Sequence, residues 1–260
     1  SKRFLGFTVA TPAETHYEIT RRILTSGYPV LVEKPFSLNL EDAKKLVKIS
    51  EEKNLCIMTG HLLLFHNAIT EIKRLIVSGA LGKLRYIYSN RINFGIVRSH
   101  EDVFWSLAPH DISVLQYLIE KKPIKVSKSG HSFLNEGISD IHLTVLEYPD
   151  MVKAHIFNSW YNPFKEHRLV VCGTEGMIDF KASHDDFFTF YQTSIELKEI
   201  NIALSKKESE RIYFQRNEPL KDQFRYFHDN IKTGERPLVG GSRSALETTE
   251  IMLEIQKNFL

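Results

Sequence analysis

The stretch Leu31-Val32-Glu33-Lys34-Pro35-Phe36 ends an apolar run in an acid, a base and a proline. Val30, Leu31 and Val32 read as a buried parallel strand, and open α/β sheets take their ligands where such strands end. Glu33 and Lys34 stand at that end. Pro35 fixes its own φ and admits a cis bond before it at modest cost, so Lys34 can be aimed where an ordinary strand would not point it. The same residues also suit a plain surface, two solvated charges ahead of a helix capped by Asn39, because Glu and Lys lie outside unless paired.

Working outward, residues 4–10 read as a strand. Thr11, Pro12 and Glu14 read as a capped helix start, with His16, Ile19, Thr20, Ile23 and Leu24 at helical spacing and Gly27 as the stop. Downstream, Asn39 caps a second helix carrying Ala43, Leu46, Val47 and Ile49, and 55–59 is a third strand. Strand, helix, strand, helix, strand predicts a parallel sheet with right-handed crossovers. A helix follows from His66 through Ile76, ending at Gly79 and Gly82. Composition then shifts towards β: a strand over 84–94, a polar loop to Asp102, a helix over 108–119, and strands at 124–133, 141–147, 152–160, 168–172, 177–180 and 187–191. Turn signals such as Tyr148-Pro149-Asp150 separate the strands and predict one antiparallel sheet. Residues 206–211 read as a charged, solvated loop, and 220–232 and 242–259 as closing helices.

Hydrophobic residues at 42% and charged residues at 25% suit a soluble globular chain with a sizeable core. A net charge of +2 with no basic block gives no reason to expect nucleic acid. No run is long enough for a membrane span, and the first residues lack a signal-peptide pattern. Cys56 and Cys172 both lie in apolar runs, which points to buried thiols in a reducing compartment, the cytoplasm. His61 and His66 have no carboxylate at ligand spacing, so no metal is expected.

Glu33-Lys34-Pro35-Phe36, preceded by Ala10-Thr11-Pro12 and His16, resembles the Glu-Lys-Pro signature of the Gfo/Idh/MocA oxidoreductases. The likeness continues through Gly60-His61, the block from Arg91 to Asp111, Gly173-Thr174-Glu175-Gly176 and the C-terminal helices. Trp105-Ser106-Leu107-Ala108-Pro109-His110-Asp111 is most similar to the branch that oxidises nucleotide-linked sugar acids, the UDP-N-acetylglucosaminuronate dehydrogenases. The resemblance implies an α/β fold: a partial doubly wound (Rossmann) parallel sheet over 1–62, then an α+β substrate and oligomerisation domain with a large, mainly antiparallel sheet over 63–241. The helix 242–260 is expected to pack back on the first part. It also implies that the sequence opens at about the fourth strand of the nucleotide domain, since no Gly-x-Gly-x-x-Gly turn is present. The 260 residues are therefore expected to bind NAD(H) weakly or not at all.

Oxidation of an alcohol by hydride transfer needs a base for the hydroxyl proton, and His110 fits, read as opening a helix directly after Pro109. A capping or surface histidine would look the same. By resemblance, Lys34 and His110 are catalytic. Thr11, Pro12, His16, Glu33, Lys34 and Pro35 meet NAD or NADP. Ser106 stands where many relatives have an Asp, so the proton passes through His110 alone. Arg91, Asn93, Arg98, Asp111 and Lys165 are candidates for an anionic sugar or nucleotide sugar, because Arg offers a fork to carboxylate or phosphate. Trp160 and Tyr161 either line that cleft or pack the sheet. The sheet predicts a homodimer or homotetramer, with one face needing cover. Against an enzyme stands a non-catalytic sugar-nucleotide binding or assembly module.

Overall fold

The computed structural model describes residues 4–94, 97–99, 101–183, 186–197 and 202–257. They form two compact units, Ser1–His66 with Glu218–Lys257, and Asn67–Asn217.

In the first unit, β1 (Phe7–Val9), β2 (Val30–Val32) and β3 (Ile57–Thr59) make a parallel sheet in that order. Its strands are crossed over by α1 (His16–Thr25) and α2 (Leu40–Glu52). The middle strand is buried on both faces, as its unbroken apolar run requires. Val30 and Val32 join a core with Leu24, Ala43, Leu46 and Ala245, whereas Leu31 turns to Met58 and Phe227. Burying each such side chain stabilises the fold by roughly 1.5–3 kcal/mol. Phe227 lies on α5 (Pro219–Thr233) and Ala245 on α6 (Ser242–Lys257), so the two closing helices cover opposite faces of this sheet. Both α5 and α6 belong to the first unit. Asn39 caps α2, its side chain accepting from Glu41 N and Asp42 N. Thr11 caps nothing: a 3₁₀ turn, Ala13–Thr15, intervenes before α1.

In the second unit, α3 (Asn67–Val77) leads to β4 (Leu84–Phe94) and α4 (Val103–Ile119). The strands β5 (Lys125–His131), β6 (Ile141–Glu147), β7 (Lys153–Ser159), β8 (Tyr161–Gly173), β9 (Gly176–Lys181), β10 (Phe187–Leu197) and β11 (Ile202–Tyr213) follow. The sheet order is β11-β10-β9-β8-β4-β7-β6-β5. The sheet is mainly antiparallel, as expected, and mixed because β4 inserts between β8 and β7 and runs parallel to β7. Residues 206–211 are corrected: they belong to β11, paired with β10, and not to a loop. β11 is the sheet edge, where charged residues are tolerated because they discourage pairing with another chain.

The start of α4 is corrected too. α4 starts at Val103, with Asp102 as its cap accepting from Trp105 N at 2.8 Å, so Pro109 lies inside the helix and His110 does not open it. A proline there removes the donor to the Trp105 carbonyl, which is why the sequence rule misplaces the start.

Candidate functional site

Each unit carries one polar group of site residues. In the first, the carboxyl ends of the three parallel strands bring Ala10-Thr11, Glu33-Lys34 and Gly60-His61 to one edge. Glu33 N donates to Val9 O at 2.8 Å and Gly60 N to Val32 O at 2.7 Å, which locks the three ends in step. The Lys34–Pro35 bond is cis. Glu33 and Lys34 are half-buried, while Pro35 and Phe36 are buried and Thr11 and Pro12 exposed. Lys34 N donates to Glu33 Oε2 at 3.3 Å. Gly60 supplies bare backbone against the Glu33 carboxylate: a Cβ there would come within 2.8 Å of Oε2.

His16 differs from its expected role. It is 1% exposed, with Nδ1 2.8 Å from Pro35 O and Nε2 2.8 Å from Thr11 O. A ring so enclosed, with both nitrogens on backbone carbonyls, meets the protein and not a cofactor. His61 is also buried, and its pKa is pushed down to about 4 by desolvation.

In the second unit, register across four strands builds a polar row. His142 lies opposite Asn158, Asn158 opposite Arg91, and Arg91 opposite His167. Asp111, from α4, is the hub. Its carboxylate is 2% exposed and accepts from Ser89 Oγ at 2.8 Å, Arg91 Nε at 3.2 Å and Nη2 at 3.1 Å, and Asn158 Nδ2 at 3.2 Å. With donors from three residues on it, Asp111 anchors Arg91. The Arg91 side chain is 13% exposed, and its Nη1 lies 3.5 Å from His167 Nδ1. Desolvation, with Arg91 and Lys165 adding to it, pushes the His167 pKa down to about 4, so near neutral pH the imidazole is uncharged. His110, one residue before the hub on α4, is half-buried, and Ser106 stands one turn earlier.

The other candidates are less gathered. Asn93 is half-buried, Arg98 is exposed and pairs with Glu101 at 2.6 Å, and Lys165 is exposed on β8. Trp160 is buried and packs the sheet, whereas Tyr161 is 52% exposed. Sequence reasoning missed Ser89, Asn158 and His167. Ser89 had a signal, standing two residues before Arg91 and so on the same face of β4. Asn158 and His167 had none, because only strand register makes them neighbours of Arg91. Among the described residues no cluster of His, Cys, Asp or Glu could hold a metal, and no helix is long and apolar enough to cross a membrane.

Comparison with known proteins agrees with both halves. Residues 6–61 match the oxidoreductase family with an NAD-binding Rossmann fold, and residues 69–179 match the GFO/IDH/MocA C-terminal domain. The chain belongs to the Gfo/Idh/MocA oxidoreductase family. It is 29% identical over 124 residues to the UDP-N-acetylglucosamine 3-dehydrogenase of Acidithiobacillus ferrooxidans, covering 47% of this chain and 38% of that protein. It is 26% identical over 186 residues to the 2,7-anhydro-N-acetylneuraminate hydratase of Mediterraneibacter gnavus, covering 65% of this chain and 49% of that one. The matches thus span about half or less of these two relatives. A solved structure of UDP-N-acetylglucosamine 3-dehydrogenase from Acidithiobacillus ferrooxidans superposes with a TM-score of 0.83 at 19% identity, covering 97% of this chain and 77% of that one.

Proposed function

We propose that this family member works as an NAD(P)-dependent oxidoreductase acting on a hydroxyl of a sugar or nucleotide sugar. The observation that carries the reading is the Asp111 hub, which sets a cation, Arg91, and a candidate base, His110, from one buried anchor. The strand-end residues fit the ribose end of a nicotinamide dinucleotide. Glu33 offers a carboxylate to a ribose hydroxyl, and the bare Gly60 backbone gives that carboxylate the room a side chain would take from it. The bound nicotinamide would supply hydride chemistry. His110 would take the hydroxyl proton, and Lys34 would favour the developing alkoxide through its charge. Arg91 recognises an anionic group on the substrate, and the neutral His167 beside it adds no competing charge. The fraction of the chain similar to a UDP-N-acetylglucosamine 3-dehydrogenase supports a nucleotide-linked sugar over a free one.

The reading extends to assembly. α4 packs through Asp111 on the sheet face that holds Ser89 and Arg91. The opposite face shows half-buried Tyr88, stacked on His155 at 5.2 Å and 9°, with Val145, Phe157 and Val170 nearby in register. A homodimer or homotetramer through that face would cover it, and light scattering showing a stable monomer at micromolar concentration would count against this. For the chemistry, His110→Asn and Lys34→Met, made in protein that binds cofactor, should each lower turnover by roughly 10² to 10⁴. Near-normal turnover in both, with intact folding, would remove them from the site.

A further inference from the structure

His16 lies in the first unit, behind the strand ends and out of reach of solvent. Its two partners come from separate segments: Thr11 follows β1, and Pro35 follows β2. Thr11 O and Pro35 O are both acceptors, so a neutral ring donates its one N–H to one of them, the tautomer deciding which, while the other nitrogen packs against the second carbonyl. The ring spans the space between the two segments as a rigid strut, which no aliphatic side chain of similar size would do. Thr15 reinforces the same corner, its Oγ1 lying 2.7 Å from Thr11 Oγ1 and 2.7 Å from Pro12 O. One residue from Pro35 stands Lys34, and two stands Glu33, whose carboxylate rests against Gly60.

We propose that His16 is a positioning residue: it braces the Thr11-Pro12 segment against the Glu33-Lys34-Pro35 segment and so sets the height of Lys34 and Glu33 above the strand ends. It acts through backbone carbonyls and touches neither cofactor nor substrate. The part of this inference that concerns the cofactor rests on the nicotinamide reading above; the brace itself does not. The expected behaviour follows from where the bonds go. Loss of the ring frees two segments at once, although they are far apart in sequence, and leaves the helix core of α1 in place through Leu24.

The test compares His16→Leu and His16→Gln with Leu24→Ala, a core change in the same helix that keeps both carbonyl contacts. Amide hydrogen exchange of the 260-residue chain without ligand should rise about tenfold or more at residues 11–15 and 33–37 in His16→Leu. His16→Gln, able to reach one carbonyl, should protect one segment, and Leu24→Ala should not favour these segments. In protein that binds cofactor, His16→Leu should weaken NAD(H) and lower kcat at saturation by about tenfold each, with Gln restoring part. Unchanged exchange at either segment would overturn the brace. Raised exchange with NAD(H) affinity and kcat inside twofold of the parent would overturn the positioning role. Sugar turnover that needs no NAD(P)(H) would refute the nicotinamide reading instead, and the exchange data alone would then decide the brace.

Discussion

Asp111→Ala removes the acceptor for three donors inside the second unit, among them the guanidinium of Arg91, whose side chain is 13% exposed. Breaking one partner of a buried ion pair costs about 3–5 kcal/mol, because the remaining charge is left uncompensated. Asp111→Asn keeps the shape and one oxygen. Its amide would face either the Asn158 Nδ2 donor or the Ser89 hydroxyl and Arg91, so a cost of about 1–3 kcal/mol is expected for a donor left unsatisfied. Replacing the pair together, Asp111→Leu with Arg91→Met, removes the charge that the single change strands, and such swaps are often close to neutral. Urea unfolding of the parent, Asp111→Leu, Arg91→Met and the double variant gives the cycle, with a coupling expected at the upper part of the usual range of about 0.5–3 kcal/mol for residues in contact. A cost below about 1 kcal/mol for Asp111→Ala, or simple additivity of the two sites, would refute the hub and with it the account of how Arg91 is held.

Acid should destabilise the protein through its buried histidines. His61, His142 and His167 have folded-state pKa values depressed to about 4, mainly by desolvation, so the unfolded chain binds their protons first as pH falls. Their contribution is fully present above the unfolded value, near 6.5, and is lost as pH falls through about 4. For the fully enclosed His61 the slope is about 1.4 kcal/mol per pH unit in that window. Urea midpoints at pH 7, 6 and 5 measure it, and no decline between them would contradict the burial. Gly60→Ala should fold with little loss, since the group it displaces is the mobile end of Glu33, but should lower cofactor affinity several-fold by calorimetry. Gly173→Ala is the opposite case. Its Cβ would meet the Leu81 carbonyl carbon at 2.8 Å and crowd the backbone oxygen still more closely, so a loss of about 1–3 kcal/mol in thermal unfolding is expected, with the strand end forced to shift. Asp102→Ala should cost about 1 kcal/mol by removing the cap of α4, and an unchanged melting temperature would argue that the helix starts elsewhere.

Much of the first unit was legible in the sequence because its signals are local. The apolar run ending at Glu33, the Asn39 cap and the helical spacing of Ala43 and Leu46 each act within a few residues, and the structure shows all three. The start of α4 was misread for a local reason too: Pro109 imitates a first-turn proline, and the Asp102 cap was hidden at the end of a polar stretch. What only the tertiary structure decided is who stands beside whom. Residues 206–211 carry charges that resemble a loop until β10 supplies their ladder, and β4 finds parallel β7 and antiparallel β8 across long sequence separations. The same pairing puts Asn158 and His167 on either side of Arg91, and places Asp111 from α4 over them. Periodicity states which face a side chain takes, but register is set by hydrogen bonds between distant strands, and that information is absent from any short window of the chain.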